Sequence, residues 1–324
     1  MVNKKTAFLF PGQGSQFSGM ALDFYEASSP VRELFELAGD IMGQDMKKLL
    51  GESSEDILKQ TDIAQPAVSL ANLSAARILS ERGVRPYAAA GHSLGEFAAL
   101  AVAGIISEAD CFKIVKERGK LMQNAISGLS STGEGAGHAP FGMAAVIGLP
   151  PEKVESLINE WTQDGLCGLF AANFNSGRQT VVSGTDEALT VAEKYFKESG
   201  ARRFIRLNVS GPFHSPFMEE ASSRFSVFLK SICFNDPKIP FFSNVSGKEV
   251  KIGEEARSLA VTQIKSPVRW TEEEAEIAKL PLDAVLEAGP GTVLAGLWKD
   301  TGSGIPCLPA GTYLDIENLA AFIN

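Results

Sequence analysis

Ala88-Ala89-Ala90-Gly91-His92-Ser93-Leu94-Gly95-Glu96 joins a short apolar strand to a helix built almost wholly of Ala, Leu, Phe and Val. A serine at a sharp strand-to-helix turn has strained backbone angles and close neighbours, which glycines on either side tolerate. Such a turn lifts the hydroxyl off the strand toward a helix N-terminus, where free N–H groups can receive an oxyanion. Gly-x-Ser-x-Gly also arises by chance in tight loops. Here the strand before it and the apolar helix after it, read as residues 96–106, supply the context the motif requires. Ser93 is the candidate nucleophile.

Outward from this turn, short apolar strands alternate with helices. A first strand at 6–10 ends in Pro11-Gly12-Gln13-Gly14-Ser15-Gln16; helical patterns follow at 20–27, 31–42 and 65–82, then the strand 87–90. Ser107 reads as the N-cap of a helix over 108–126. This alternation predicts an α/β protein with a parallel, helix-covered sheet. The pattern changes after Ser127, where residues 128–140 are rich in Gly and Ser and read as a flexible connection. Beyond them come a strand (142–147), a helix opened by Pro150-Pro151 (152–161), two strands (168–172, 180–183), a helix (186–199) and a strand (203–207). That β-α-β-β-α-β order is the ferredoxin-like one, and alternating elements resume after Phe213. A small subdomain is therefore expected at 141–208, inserted into a large one made of 1–140 and 209–324.

The richest apolar run, 97–106, is about half of the roughly 18 residues a membrane span needs. A net charge of −9, from 30 basic and 39 acidic residues, argues against nucleic acid as a partner. It also requires that an anionic substrate be met by a local basic site. Cys111, Cys167, Cys233 and Cys307 form no CxxC pair, which predicts neither a zinc site nor a disulfide framework. Residues 1–5 run straight into a strand without a secretory apolar region, so a cytoplasmic protein is expected. Nothing in the sequence demands more than a monomer.

A serine hydroxyl needs a base, and the chain offers three histidines. His92 adjoins the serine, so its side chain is expected to point the other way. His138 sits in the Gly/Ser-rich connection, a mobile place for a base. His214 lies between Pro212 and Pro216, which stiffen the backbone, and is the preferred base; the alternative is a structural histidine capping the next helix. No carboxylate near it declares itself as an orienting group, since Glu219 and Glu220 read as first-turn helix residues. A backbone carbonyl could serve instead. Arg118 interrupts the apolar stripe of Cys111, Ile114, Val115 and Met122 on the 108–126 helix. An inward guanidinium must meet an anion, because burying it unpaired is costly. That anion is either a protein carboxylate or a substrate carboxylate. The Gly12-Gln13-Gly14 turn has Phe17 where a dinucleotide loop needs its third glycine, and it could equally place a backbone N–H beside the serine.

Phe10-Pro-Gly-Gln13-Gly-Ser-Gln16, Gly91-His-Ser93-Leu-Gly-Glu96 and Arg118-Gly-Lys-Leu-Met-Gln123 recur, in this order, with four later segments. Those are Asn173-Phe-Asn175-Ser176, Gly211-Pro-Phe-His214-Ser215, Gln263-Ile-Lys-Ser-Pro-Val-Arg-Trp270 and Glu287-Ala-Gly-Pro-Gly291. Together they resemble malonyl-CoA:acyl carrier protein transacylases and the related acyltransferase domains of fatty acid and polyketide synthases, over nearly the whole chain. The resemblance implies a hydrolase-like α/β core carrying the ferredoxin-like insertion. It implies Ser93 as the acylated nucleophile, His214 as its base, and the backbone N–H groups of Gln13 and Leu94 as the oxyanion hole. The Gln263 carbonyl would orient His214, and Arg118 would grip the free carboxylate of malonate. Malonyl-CoA would be the substrate, acyl carrier protein the partner, and no metal or bound cofactor would take part. Because such carriers are acidic, Arg202, Arg203 and Arg206 form a candidate docking rim. The connection 128–140 is longer than is usual in this family, and Gly177-Arg178-Gln179 stands where Pro-Gly-Gln is more common. Phe213 resembles malonyl-selective polyketide domains. A serine esterase or thioesterase is the rival enzyme and has no use for an inward Arg118; a catalytically dead carrier-docking module is the rival outside enzymes.

Overall fold

The computed structural model describes residues 4–131, 141–209 and 211–323. β1 (Thr6–Phe10) is followed by α1 (Leu22–Ala27), α2 (Ser29–Met42), α3 (Met46–Glu52), α4 (Glu55–Leu58) and α5 (Thr61–Glu81). Then come β2 (Pro86–Gly91), α6 (Gly95–Val102), α7 (Glu108–Ser131), β3 (Phe141–Ile147), α8 (Pro151–Gln163), β4 (Leu169–Ser176), β5 (Gln179–Thr185), α9 (Asp186–Glu198) and β6 (Arg203–Arg206). The remaining elements are α10 (Glu219–Leu229), β7 (Phe241–Ser243), β8 (Lys248–Val250), α11 (Gly253–Gln263), α12 (Trp270–Ile277), β9 (Ala284–Glu287), α13 (Val293–Lys299), β10 (Cys307–Pro309) and α14 (Tyr313–Ile323).

The first sheet has six strands in the order β10-β9-β1-β2-β7-β8, parallel except for the β7–β8 hairpin. Helices cover both of its faces, so its strands are apolar on both sides. Along β1, Phe8 and Phe10 enter one core cluster and Ala7 and Leu9 the other, the period-two alternation of a strand. The second sheet is antiparallel, β4-β5-β3-β6. One face, with Ala144, Val146 and Val182, packs on Val154, Trp161, Leu189 and Phe196 of α8 and α9. The other face turns Met143, Ala145 and Val181 toward the core of the first sheet. This is the expected ferredoxin-like unit beside a parallel α/β sheet. A short parallel bridge joins the two: Val268 N–H donates to the Ala172 carbonyl, and Phe174 N–H to the Val268 carbonyl, both at 2.8 Å.

Three local expectations are corrected. α6 stops at Val102, four residues short of the expected end, because Gly104 turns the chain at φ 74°. α7 runs on to Ser131 and so takes in the first residues of the expected connection; 132–140, with His138, lie outside the described residues. α3 and α4 were not expected; each is short and starts at a capping side chain, Asp45 or Ser54. Among the described residues no helix is long and apolar enough to cross a membrane.

Candidate active site

β2 ends at Gly91 and α6 begins at Gly95, leaving His92, Ser93 and Leu94 to make the turn. Ser93 takes the left-handed region at φ 50°, a cost of about 1–3 kcal/mol for such a residue. Its glycines are required by contact: a Cβ on Gly95 would lie 1.9 Å from the Phe10 carbonyl oxygen, and one on Gly91 2.1 Å from Gly95 backbone. The strain thus falls on the serine and the crowding on its flanks.

Ser93 Oγ lies 2.7 Å from His214 Nε2. The other ring nitrogen, Nδ1, is 2.9 Å from the Gln263 carbonyl and 3.1 Å from that of Ser266. Two carbonyl acceptors require an N–H at Nδ1, which leaves Nε2 as the acceptor facing the serine. Burial, followed by the Arg118 charge, lowers the His214 pKa to about 3, so the imidazole is neutral and able to accept a proton at neutral pH. His214 is also left-handed, at φ 57°, and Ala21 is the one other non-glycine residue so placed among the described residues. Strained backbone held in place by its surroundings gathers at functional sites. His92 lines the same cavity but is engaged by other groups: its Nε2 lies 2.8 Å from Asn175 Oδ1, and its ring sits edge-on to Trp270.

Arg118, on α7, is 1% exposed. Its Nη2 donates to Gln263 Oε1 at 2.9 Å and to Ser93 Oγ at 3.4 Å, and its Nε has no hydrogen-bond partner. Among the described residues no carboxylate oxygen comes within 4.0 Å of it. Burial lowers its pKa to about 10, opposed by the charge of Glu96, so it stays cationic at neutral pH. The protein therefore supplies no direct ion pair, and the guanidinium borders a cavity of about 280 Å³ shared with Ser93 and His214. Met122, Met143, Ala145, Val181 and Phe213 give that cavity apolar walls. Among the described residues, the backbone N–H groups of Gln13 and Leu94 have no protein acceptor, and Gln13 lines the cavity. A wider groove of about 670 Å³, beside Phe174 and Arg269, contains neither Ser93 nor His214.

Sequence reasoning named the Gln263 carbonyl but missed its side chain, whose Nε2 donates to the Ser93 carbonyl at 2.9 Å. It quoted Glu96, Asn175 and Ser266 within motifs but gave them no role, and it missed Asn244 and a second buried acid, Glu273. Glu96 did leave a signal, a lone acid in an apolar helix; burial raises its pKa to about 7. Glu287, quoted only as part of a motif, accepts the Leu294 and Ala295 N–H groups and so caps α13. Of the proposed rim, Arg202, Arg203 and Arg206 are all exposed, and Arg206 also pairs with Asp186 at 3.1 Å.

The family model described as "Acyl transferase domain" matches residues 7–313. The chain belongs to this family. It is 36% identical over 295 residues to the malonyl CoA-acyl carrier protein transacylase of Bacillus subtilis (strain 168), covering 91% of this chain and 90% of that protein. Its fold matches the solved malonyl CoA-acyl carrier protein transacylase from Coxiella burnetii with a TM-score of 0.90 at 32% identity, over 99% of this chain and 98% of that one. A second solved acyl transferase relative is a malonyl-transacylase in complex with its type II PKS acyl-carrier protein. It has a TM-score of 0.89 at 34% identity, over 99% of this chain and all of that one (100%).

Proposed function

We propose that this chain transfers malonyl groups from malonyl-CoA to the phosphopantetheine thiol of an acyl carrier protein through an ester on Ser93. Ser93 Oγ attacks the thioester carbonyl while His214 Nε2 takes its proton. The oxyanion is received by the N–H groups of Gln13 and Leu94. As the C–S bond breaks, His214 returns the proton to the departing CoA sulfur. In the second half, the carrier thiol gives its proton to His214 and attacks the ester, restoring Ser93. Malonyl-CoA is a substrate in this scheme, and no metal or bound cofactor takes part. The product supplies fatty acid synthesis; a polyketide pathway is the alternative destination. The same reading assigns 1–140 with 209–324 to the catalytic subdomain, 141–208 to the small one, and the chain to the cytoplasm.

The observation that carries the proposal is Arg118: a buried cation, 3.4 Å from the Ser93 hydroxyl, with an unpartnered Nε and no protein carboxylate in contact among the described residues. An acyl group ending in a carboxylate completes it. A hydrolase acting on neutral esters would leave that charge unpaired. Incubation with labelled malonyl-CoA tests the scheme: label is expected on Ser93, stable to water, discharged by a carrier thiol, and absent in Ser93→Ala. Rapid loss of the acyl group to water would make the protein a thioesterase, and label on another residue would remove Ser93 from the mechanism.

A further inference from the structure

Asn244 follows β7, whose pairing with β2, Ala89 opposite Phe241, brings its end beside the serine turn. The residue is fully buried, and every polar atom it has is engaged. Its Oδ1 accepts from the Ser93 N–H at 2.6 Å and from Gln263 Nε2 at 3.5 Å. Its Nδ2 donates to the Gly91 carbonyl and to Glu273 Oε1, both at 2.8 Å. Its own N–H donates to Glu96 Oε2, and its carbonyl accepts from the Arg269 N–H, both at 2.8 Å.

On the reading of Ser93 as the acylated residue, we propose that Asn244 is a positioning residue that holds Ser93 in its left-handed, reactive geometry. The turn needs one group that accepts from the peptide N–H of Ser93 and donates to the carbonyl two residues earlier. A primary amide does both at once; an aliphatic side chain does neither. A strained φ persists only where the surroundings over-determine it. Without the two bonds the turn relaxes toward ordinary angles and carries Oγ away from His214 Nε2. A shift of about 1 Å in a reacting group costs on the order of 100-fold in rate. Because the effect reaches substrate only through Ser93, it falls on turnover and not on binding, and it ignores the identity of the acyl group.

The test uses the full chain. Labelling of wild-type Ser93 by malonyl-CoA comes first, and its absence would overturn the nucleophile itself and this role with it. With that in hand, Asn244→Ala is expected to lower kcat about 100-fold for malonyl-CoA and acetyl-CoA alike, with KM within about threefold of wild type. A folded variant, checked by its melting curve, that keeps kcat within about threefold, or that loses only KM, overturns the proposal while leaving the nucleophile intact. Should Asn244→Ala fail to fold, the double variant Asn244→Asp/Glu273→Gln keeps the volume, the acceptor for the Ser93 N–H and a reversed 244–273 hydrogen bond, but has no donor for the Gly91 carbonyl. It is expected to react with a fluorophosphonate at Ser93 about 100-fold more slowly than wild type. A folded double variant that reacts within about threefold of the wild-type rate overturns the role.

Discussion

Arg118 brings a charge into a site where, among the described residues, Gln263 and Ser93 accept from it and the face of Phe97 lies against it. With the malonyl carboxylate bound there, Arg118→Ala leaves an anion without its partner. The loss is about 2–5 kcal/mol, or roughly 30-fold to several thousandfold in kcat/KM for malonyl-CoA. Acetyl-CoA has no carboxylate, so its transfer is expected to stay level or improve. Kinetics with both substrates beside a melting curve decide the matter, and equal losses would remove the carboxylate-binding role. His214 gives a second test. Burial and the Arg118 charge place its pKa at about 3, so the imidazole stays neutral as pH falls; if His214 is the base as proposed, the acid limb of kcat/KM is expected below about pH 5. A bound carboxylate cancels the Arg118 contribution and raises that pKa, so the acid limb of kcat should lie at higher pH than that of kcat/KM. A kcat/KM limb centred at the ordinary histidine value of 6.5 would contradict the assignment.

At the scale of elements, β2, the serine turn and α6 stand or fall together. Gly95→Ala would drive a methyl group to within 1.9 Å of the Phe10 carbonyl oxygen, and its three nearest neighbours are all backbone atoms. Overpacking of this kind costs about 1–3 kcal/mol or more, and relief requires α6 to move off β1. Both the melting temperature and the rate of Ser93 labelling are expected to fall. Gly296, inside α13, has nothing within 4 Å of an added Cβ. Gly296→Ala should gain up to about 1 kcal/mol of helix propensity and leave labelling unchanged. Parallel melting curves and labelling rates of the two variants provide the check; a stable, fully reactive Gly95→Ala would show that the close approach is not required. Most helices and strands up to β6 were legible because their apolar periods are strong, whereas α13 and the other elements after Phe213 were expected only as a resumed alternation. Element ends were not legible, because a terminus such as that of α6 is set by a single turn at Gly104, and α3 and α4 are too short to show a period.

Across the whole molecule, the cavity lies where the carboxyl ends of β1, β2 and β9 meet the inward face of the small sheet, with Gln13, Ser93, Leu294 and Met143 all at its wall. Ligands of open α/β sheets bind at that end because loops and helix N-termini converge there. An acyl carrier protein must reach this mouth from outside, and the proposed docking rim assumes that it is acidic. Arg202 and Arg203 stand exposed at β6, an edge strand of the small sheet; Arg206 is exposed too but is held by Asp186 and Thr190. Arg203→Glu is expected to raise KM for the carrier, most at low salt, while malonyl-CoA labelling of Ser93 keeps its rate. Arg206→Glu should weaken the small sheet's packing on α9 as well. Carrier kinetics at two ionic strengths test this edge, and an unchanged KM in Arg203→Glu would remove it as the docking rim.

The sequence alone determined what local rules encode. The period of two in β1, the βαββαβ order, the glycine-flanked Ser93 and the cation interrupting the α7 stripe all lie within a few residues of their cause. His214 could be singled out because there were so few rivals, and the resemblance to acyltransferases supplied Gln263, Gln13 and Leu94. The tertiary structure decided everything that depends on approach between distant segments. It brought Asn244 to Ser93 across 151 positions and Gln263 across 170, and among the described residues it left Arg118 in contact with Gln263 and Ser93 instead of a carboxylate. A buried asparagine after Phe241-Phe242-Ser243 carries no mark of its partners in the chain, since its hydrogen bonds exist only once β7 is laid beside β2. Side-chain chemistry is written locally, but desolvation and the pairing of buried polar groups are properties of the packed molecule.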